Sequence, residues 1–248
     1  MENTQSSLNY LTNLFFQNKT LSIGGPSASG KTTLALQIIS NLLVNDCYCL
    51  WIQASELFPK KRLQKMFQDS HEKLDHILEH IYLAPLIHKD ENTNNNVNHI
   101  CKDYSEFKEI VLKILQGNIP FLPLVKFIVI DNISHHLRTE ILNTNDAVSK
   151  INLENEYFNT ILFPFLMFCE RKSINLILIH EISFNPKLGE EVIFLSKIYK
   201  RIDSVSIYLD NNNTNIQVNN KKILRLATEN DNFSCKYTLV DNGLKFFT

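Results

Sequence analysis

Gly25-Pro26-Ser27-Ala28-Ser29-Gly30-Lys31-Thr32 fits the phosphate-binding pattern Gly-x-x-x-x-Gly-Lys-Ser/Thr, the Walker A sequence, without a departure. Its flanks agree with it. Thr20–Ile23 reads as a short buried strand, and Leu34, Ala35, Ile38, Ile39, Leu42 and Leu43 recur with helical period. The chemistry needs that order. Gly25 and Gly30 let the backbone curl until successive N–H groups point inward at a phosphate. Pro26, Ser27, Ala28 and Ser29 span the loop between them, and Thr33 follows into the helix. That helix adds its positive N-terminal end. Lys31 would bridge the outer phosphates and the Thr32 hydroxyl would ligate Mg²⁺, so the stretch predicts a P-loop site for ATP and Mg²⁺.

At 248 residues the chain suits one α/β domain, 1–248, with 1–20 as an N-terminal helix and lead-in. No apolar run approaches the roughly 18–20 residues needed to cross a bilayer. Ile119–Ile130 is the longest candidate, and Pro120, Pro123 and Lys126 break it. The start, with Glu2, Asn3, Thr4 and Gln5, lacks the features of a signal peptide. Cys47, Cys49, Cys101, Cys169 and Cys235 form no Cys-x-x-Cys pair, so a reducing, cytosol-like compartment is expected, without membrane partners. The formal net charge of −1 argues against strong nonspecific nucleic-acid binding by an isolated monomer. The asparagine-rich tracts Asn92–Asn98 and Asn211–Asn220 read as exposed connections.

Along the chain, helices are expected at Leu8–Phe16, Lys61–Phe67, Glu72–His80, Tyr104–Leu115 and Leu153–Arg171, the last kinked or restarted at Pro164. Strands are expected at Asp46–Ile52, His80–Ala84, Val125–Ile130 and Asn175–Ile179. The tail adds Ile202–Leu209, Lys222–Thr228 and Ser234–Val240, with a turn at Asp241-Asn242-Gly243. Continuous apolar strands alternating with helices mean a parallel sheet covered on both faces, which the strand-rich tail would extend.

Val125–Ile130 ends in Asp131. A carboxylate at the tip of a buried strand can reach Mg²⁺, as a Walker B aspartate does, and at least one further strand separates it from Lys31. A nucleotide kinase would bring an arginine-rich lid, whereas Arg62, Arg138, Arg171, Arg201 and Arg225 are scattered.

With these elements in order, the chain resembles the RecA/RadA recombinase superfamily, and within it the short archaeal RadB-like paralogues. Trp51-Ile52-Gln53-Ala54-Ser55-Glu56 through Pro59-Lys60-Lys61-Arg62-Leu63 is similar to the family's YIDTEG…PERL segment. Phe127–Ser134 is similar to IVVDSIT, His136–Glu140 to LFRLE, and Leu176–Ile182 to VVVTNQV. The resemblance implies a RecA-like three-layer αβα sandwich with a mostly parallel sheet and C-terminal antiparallel strands. It also implies recombination and DNA repair on single-stranded DNA, beside a main recombinase or other paralogue subunits, as a dimer or hetero-oligomer. The expected location is the nucleoid-associated cytoplasm, or the nucleus of a eukaryote.

Two departures bear on mechanism. The family's water-orienting glutamate falls in register with Ser55, and Glu56 comes one residue later, on the opposite side if the strand continues. The family's phosphate-sensing glutamine corresponds to Glu181, whose charge would repel a terminal phosphate unless protonated or metal-linked. Glu56 and Glu181 are thus the catalytic candidates, and hydrolysis is expected to be weak, DNA-dependent at most. By resemblance Ser134–Lys150 and Ser183–Ser196 are the DNA-facing loops, with Arg138, Lys197, Lys200 and Arg201 as DNA contacts. His135, His136, Phe184 and Phe194 are further candidates there. A KaiC-like regulatory ATPase with protein partners and no DNA role is the alternative, with the same phosphate loop. Lys60, Lys61, Arg62 and Lys65 read as a solvated basic face, and Glu72, His76 and His80 as a solvated polar face despite their metal-ligand spacing.

Overall fold

The computed structural model describes residues 2–43, 47–85, 88–89, 96–97, 99–119, 124–186, 189–210, 222–227 and 232–247. Helix α1 (Glu2–Asn18) leads into strand β1 (Thr20–Gly24), the phosphate loop and α2 (Lys31–Leu42). Then come β2 (Tyr48–Gln53), α3 (Lys60–Met66), α4 (His71–Glu79), β3 (Ile81–Ala84) and a small hairpin, β4 (His88–Lys89) with β5 (Asn96–Val97). Helix α5 (Tyr104–Leu115) and β6 (Val125–Asp131) precede α6 (His135–Asn143) and α7 (Ala147–Glu156). A π-helical turn, Tyr157–Leu162, runs into α8 (Phe163–Arg171), where Pro164 sits in the first turn. Strand β7 (Asn175–Ile179) is followed by a hairpin of β8 (Ile182–Asn185) and β9 (Glu190–Ile193), then α9 (Ser196–Tyr199). Four strands close the chain: β10 (Val205–Asp210), β11 (Lys222–Ala227), β12 (Asn232–Val240) and β13 (Gly243–Phe247).

Among the described residues nine strands form one sheet, in the order β13-β12-β11-β10-β1-β7-β6-β2-β3. From β10 to β3 the neighbours are parallel, whereas β10 through β13 pair antiparallel. This is the mostly parallel, three-layer arrangement expected, with an antiparallel extension. Period-two alternation sorts the strand residues between two cores. Trp51, Val129 and Ile177 face a core completed by α1 and α2, while Ile52, Ile130 and Leu178 face one completed by α5 and α8. Each such fully buried side chain contributes about 1.5–3 kcal/mol, so the alternation fixes register and the direction of every strand tip.

Three expectations are corrected. Ser134–Lys150 is not a loop but α6 and the start of α7, the latter capped by Asp146, whose carboxylate accepts from the Ser149 N–H. Ser183–Ser196 is largely the β8–β9 hairpin. The tail holds a fourth strand, β13, not anticipated. Asn211–Asn220 lies outside the described residues, as does most of Asn92–Asn98. Among the described residues no helix is long and apolar enough to cross a membrane.

Candidate nucleotide site

Because β1, β2, β6 and β7 run parallel, their carboxyl ends open on one edge of the sheet, where α/β folds place ligands. A cleft of 590 Å³ lies there. The phosphate loop follows β1, Asp131 ends β6, Glu181 follows β7, and Ser55 and Glu56 follow β2; all of them line the cleft. Gly25, Ser27, Ala28, Gly30, Lys31, Thr32 and Thr33 contribute to its wall, as do Arg62, His135 and Arg138. Pro26 and Ser29 belong to the loop without lining the cleft.

Gly25, Ala28 and Gly30 adopt positive φ (149°, 58° and 106°), which turns the loop around its own interior. The C-terminal strands hold it from outside: the Tyr237 hydroxyl donates to the Ser29 carbonyl at 2.8 Å and Lys222 Nζ to the Ala28 carbonyl at 2.8 Å. Lys31 Nζ donates to the carbonyls of Gly25 (2.8 Å) and Pro26 (2.9 Å), folding the cation over its own loop. Burial lowers the Lys31 pKa, opposed by the charges of Asp131, Glu181 and Glu56.

Thr32 Oγ1 donates to Asp131 Oδ2 at 2.9 Å, joining residues 99 apart in sequence. Asp131 is 3% exposed. Desolvation raises its pKa to about 6; the Thr32 hydrogen bond opposes this, Glu56 adds to it and Lys31 opposes it. A hydroxyl beside a buried carboxylate is a pair of hard oxygen donors, and their fit to Mg²⁺ is chemical as well as positional. When bound, Mg²⁺ would neutralise phosphate charge, with Thr32 and Asp131 as its protein-side holders.

The Asp131 carbonyl accepts from both Ala54 N–H (2.8 Å) and Ser55 N–H (3.1 Å). The chain curls there instead of continuing as strand, so Ser55 and Glu56 both reach the cleft. The opposite-face objection to Glu56 therefore does not apply. The Glu181 carboxylate is held by two donors: His135 Nδ1–H donates to its Oε1 (2.8 Å) and Arg138 to its Oε2 (3.0 Å). Its own N–H is held by Ser134 Oγ at 3.0 Å. Arg138 also donates to the Ile182 carbonyl (3.2 Å) and lies over the Phe194 ring.

Arg138 thus lines the cleft, whereas Lys197, Lys200 and Arg201 are exposed on and after α9; Arg201 lies over Phe158. His136 is buried against α5 and bonds the Ala54 carbonyl, with its pKa lowered by burial, and so is unavailable to a ligand. Arg62 leaves the basic face and donates to Thr33 Oγ1 in the cleft, a contact not anticipated from the scattered arginines. The His76 and His80 rings pack against one another at a tilt, and among the described residues no group of three His, Cys, Asp or Glu could hold a metal.

The sheet order and its helical layers define the fold class, a RecA-like α/β core. Among solved structures, the chain is similar to one described as the crystal structure of the RadB recombinase. The two are 17% identical, with a TM-score of 0.63 over 91% of this chain and 89% of that one, a likeness of fold. No protein-family model and no curated protein matches the chain in sequence.

Proposed function

We propose that the chain binds ATP with Mg²⁺ and acts as a RecA/RadA-like recombinase paralogue in homologous recombination and DNA repair, assisting a main recombinase on single-stranded DNA. The observation that carries the nucleotide reading is the Thr32–Asp131 contact beside an intact phosphate loop. The chain-long likeness to the RadB recombinase structure supports the recombination role. Gly25 to Thr33 cradle the phosphates, Lys31 exchanges its carbonyl partners for phosphate oxygens, and Thr32 and Asp131 hold the metal. Hydrolysis is weak, and the bound nucleotide acts chiefly as a conformational signal. Lys197, Lys200 and Arg201 are the proposed DNA contacts, and assembly is as a dimer or hetero-oligomer.

Lys31→Ala tests the site: a charge-assisted contact of about 1.5–3 kcal/mol predicts roughly ten- to a hundredfold weaker ATP binding by titration calorimetry. Unchanged affinity would remove the assignment. For DNA, fluorescence anisotropy with a single-stranded oligonucleotide should show affinity falling steeply with salt, and the Lys197/Lys200/Arg201 triple alanine should flatten that slope. A response flat from the outset would favour a regulatory ATPase with protein partners.

A further inference from the structure

The cleft contains a carboxylate–imidazole pair that phosphate and metal binding leave unused. Glu181 cannot serve as a base itself, because both of its oxygens are engaged, one by His135 and one by Arg138. A carboxylate accepting from Nδ1 fixes the imidazole tautomer, with the proton on Nδ1 and the lone pair on Nε2. His135 lines the cleft, and no hydrogen bond among the described residues holds its Nε2. Helix α6 begins at His135, anchored by the Asn132–Ser134 turn in which Ser134 Oγ and N–H both donate to Asn132 Oδ1 (2.9 and 3.1 Å). The ring is also packed edge-on against buried His136. The imidazole is therefore positioned from three sides before any ligand arrives.

We propose that His135, oriented by Glu181, is the general base of the site, accepting a proton from the water that attacks the terminal phosphate of ATP. The inference rests on the cleft being the ATP site. The water oxygen bonds the terminal phosphorus, its proton passes to His135 Nε2, and the bond from that phosphorus to the bridging oxygen breaks toward the β-phosphate. The products are ADP and inorganic phosphate, and the proton on His135 then leaves to solvent. His135 is the catalytic residue and Glu181 a positioning residue. Arg138, sharing Glu181, keeps that carboxylate from opposing the incoming phosphate. Such a base is worth typically 10²–10⁴-fold in rate, so slow turnover and a working dyad are compatible.

The groups facing His135 are Glu181 after β7, His136 and Arg138 on its own helix, and Lys31, Glu56 and Asp131 across the cleft. Asp131, whose pKa burial raises to about 6, also changes charge with pH, so binding and turnover must be measured separately. On the full chain with Mg²⁺, with and without single-stranded DNA, ATP affinity is read by calorimetry and phosphate release at saturating ATP. His135→Gln should bind ATP within about twofold of the parent yet release phosphate about a hundredfold more slowly. Parent turnover should fall with acid as the imidazole takes a proton, and that limb should vanish from the residual rate of His135→Gln. Independently of turnover, ¹⁵N spectra of the nucleotide-free protein should show His135 protonated at Nδ1 and bare at Nε2, and Glu181→Gln should disturb that tautomer. Tight ATP binding with no phosphate release, parent-like release by His135→Gln, or a proton on Nε2 would each overturn the dyad. Failure to bind ATP at all would remove the nucleotide reading and the dyad with it.

Discussion

Asp131→Asn should raise the melting temperature of the nucleotide-free protein and, in the same molecule, abolish Mg²⁺-dependent ATP binding. The carboxylate is buried at the tip of β6, and desolvation lifts its pKa from an ordinary 3.8 to about 6. The sign follows from linkage. Below about pH 4 the group is protonated folded or unfolded and costs nothing. As pH rises toward about 6 the unfolded chain ionises first, so stability is lost through that window and stays lost above it. At about 1.4 kcal/mol per pH unit, the shift corresponds to at most about 3 kcal/mol at neutral pH. Asparagine avoids the charge and can still accept from Thr32, though more weakly, leaving a net gain of about 1–2 kcal/mol. For a chain of this size that is a rise of roughly 2–8 °C. Differential scanning fluorimetry at pH 7.5 and pH 4.5 checks it: the gain should appear at the first and disappear at the second. Calorimetry with ATP and Mg²⁺ should meanwhile show affinity reduced about a hundredfold, to the level the parent shows in EDTA, the loss of a charged metal ligand. A mutant less stable than its parent at both pH values would mean that Asp131 is a structural anchor.

The Gly25–Thr32 loop was legible because its signal is local: eight consecutive residues between a strand and an amphipathic helix. Asp131 was legible because the apolar run Phe127–Ile130 leaves no doubt where β6 ends. The sheet itself then does what spacing cannot, since parallel strands bring Thr32, Asp131, Glu56 and Glu181 to one edge. What escaped are contacts set by tertiary packing. Nothing in the sequence around Lys222 or Tyr237 says that the antiparallel extension curls back to brace Ala28 and Ser29. Residues 147–152 of α7, ahead of the helix expected from Leu153, hid for a different reason. The helix buries none of its residues, and Val148 and Ile151 are 68% and 56% exposed, so no apolar stripe announced this stretch. Glu181 was read as an unbalanced charge because its partners lie 43 and 46 residues earlier, on a helix taken for a loop.

Gly25→Ala should be the most damaging single-methyl change in the chain. Gly25 has φ 149°, a region that side chains rarely adopt, and an added Cβ would stand 2.4 Å from the Leu209 carbonyl oxygen. That oxygen cannot withdraw, since β10 is clamped between β1 and β11. Ser29 Oγ, at 2.9 Å, blocks the other direction. The loop must open, and with it go the inward N–H groups and the grip of Tyr237 on Ser29. Strain plus overpacking predict a loss of about 2–4 kcal/mol, roughly 5–15 °C in melting temperature, with ATP binding no longer measurable. Gly189→Ala supplies the comparison. Its φ is also positive, at 67°, but among the described residues nothing lies within 4 Å of the added methyl, so it should cost only about 1–2 kcal/mol and leave ATP affinity intact. If both alanines cost the same and both bind ATP, backbone conformation alone explains the loss at Gly25. The close approach of β10 to the phosphate loop would then have no part in shaping the site.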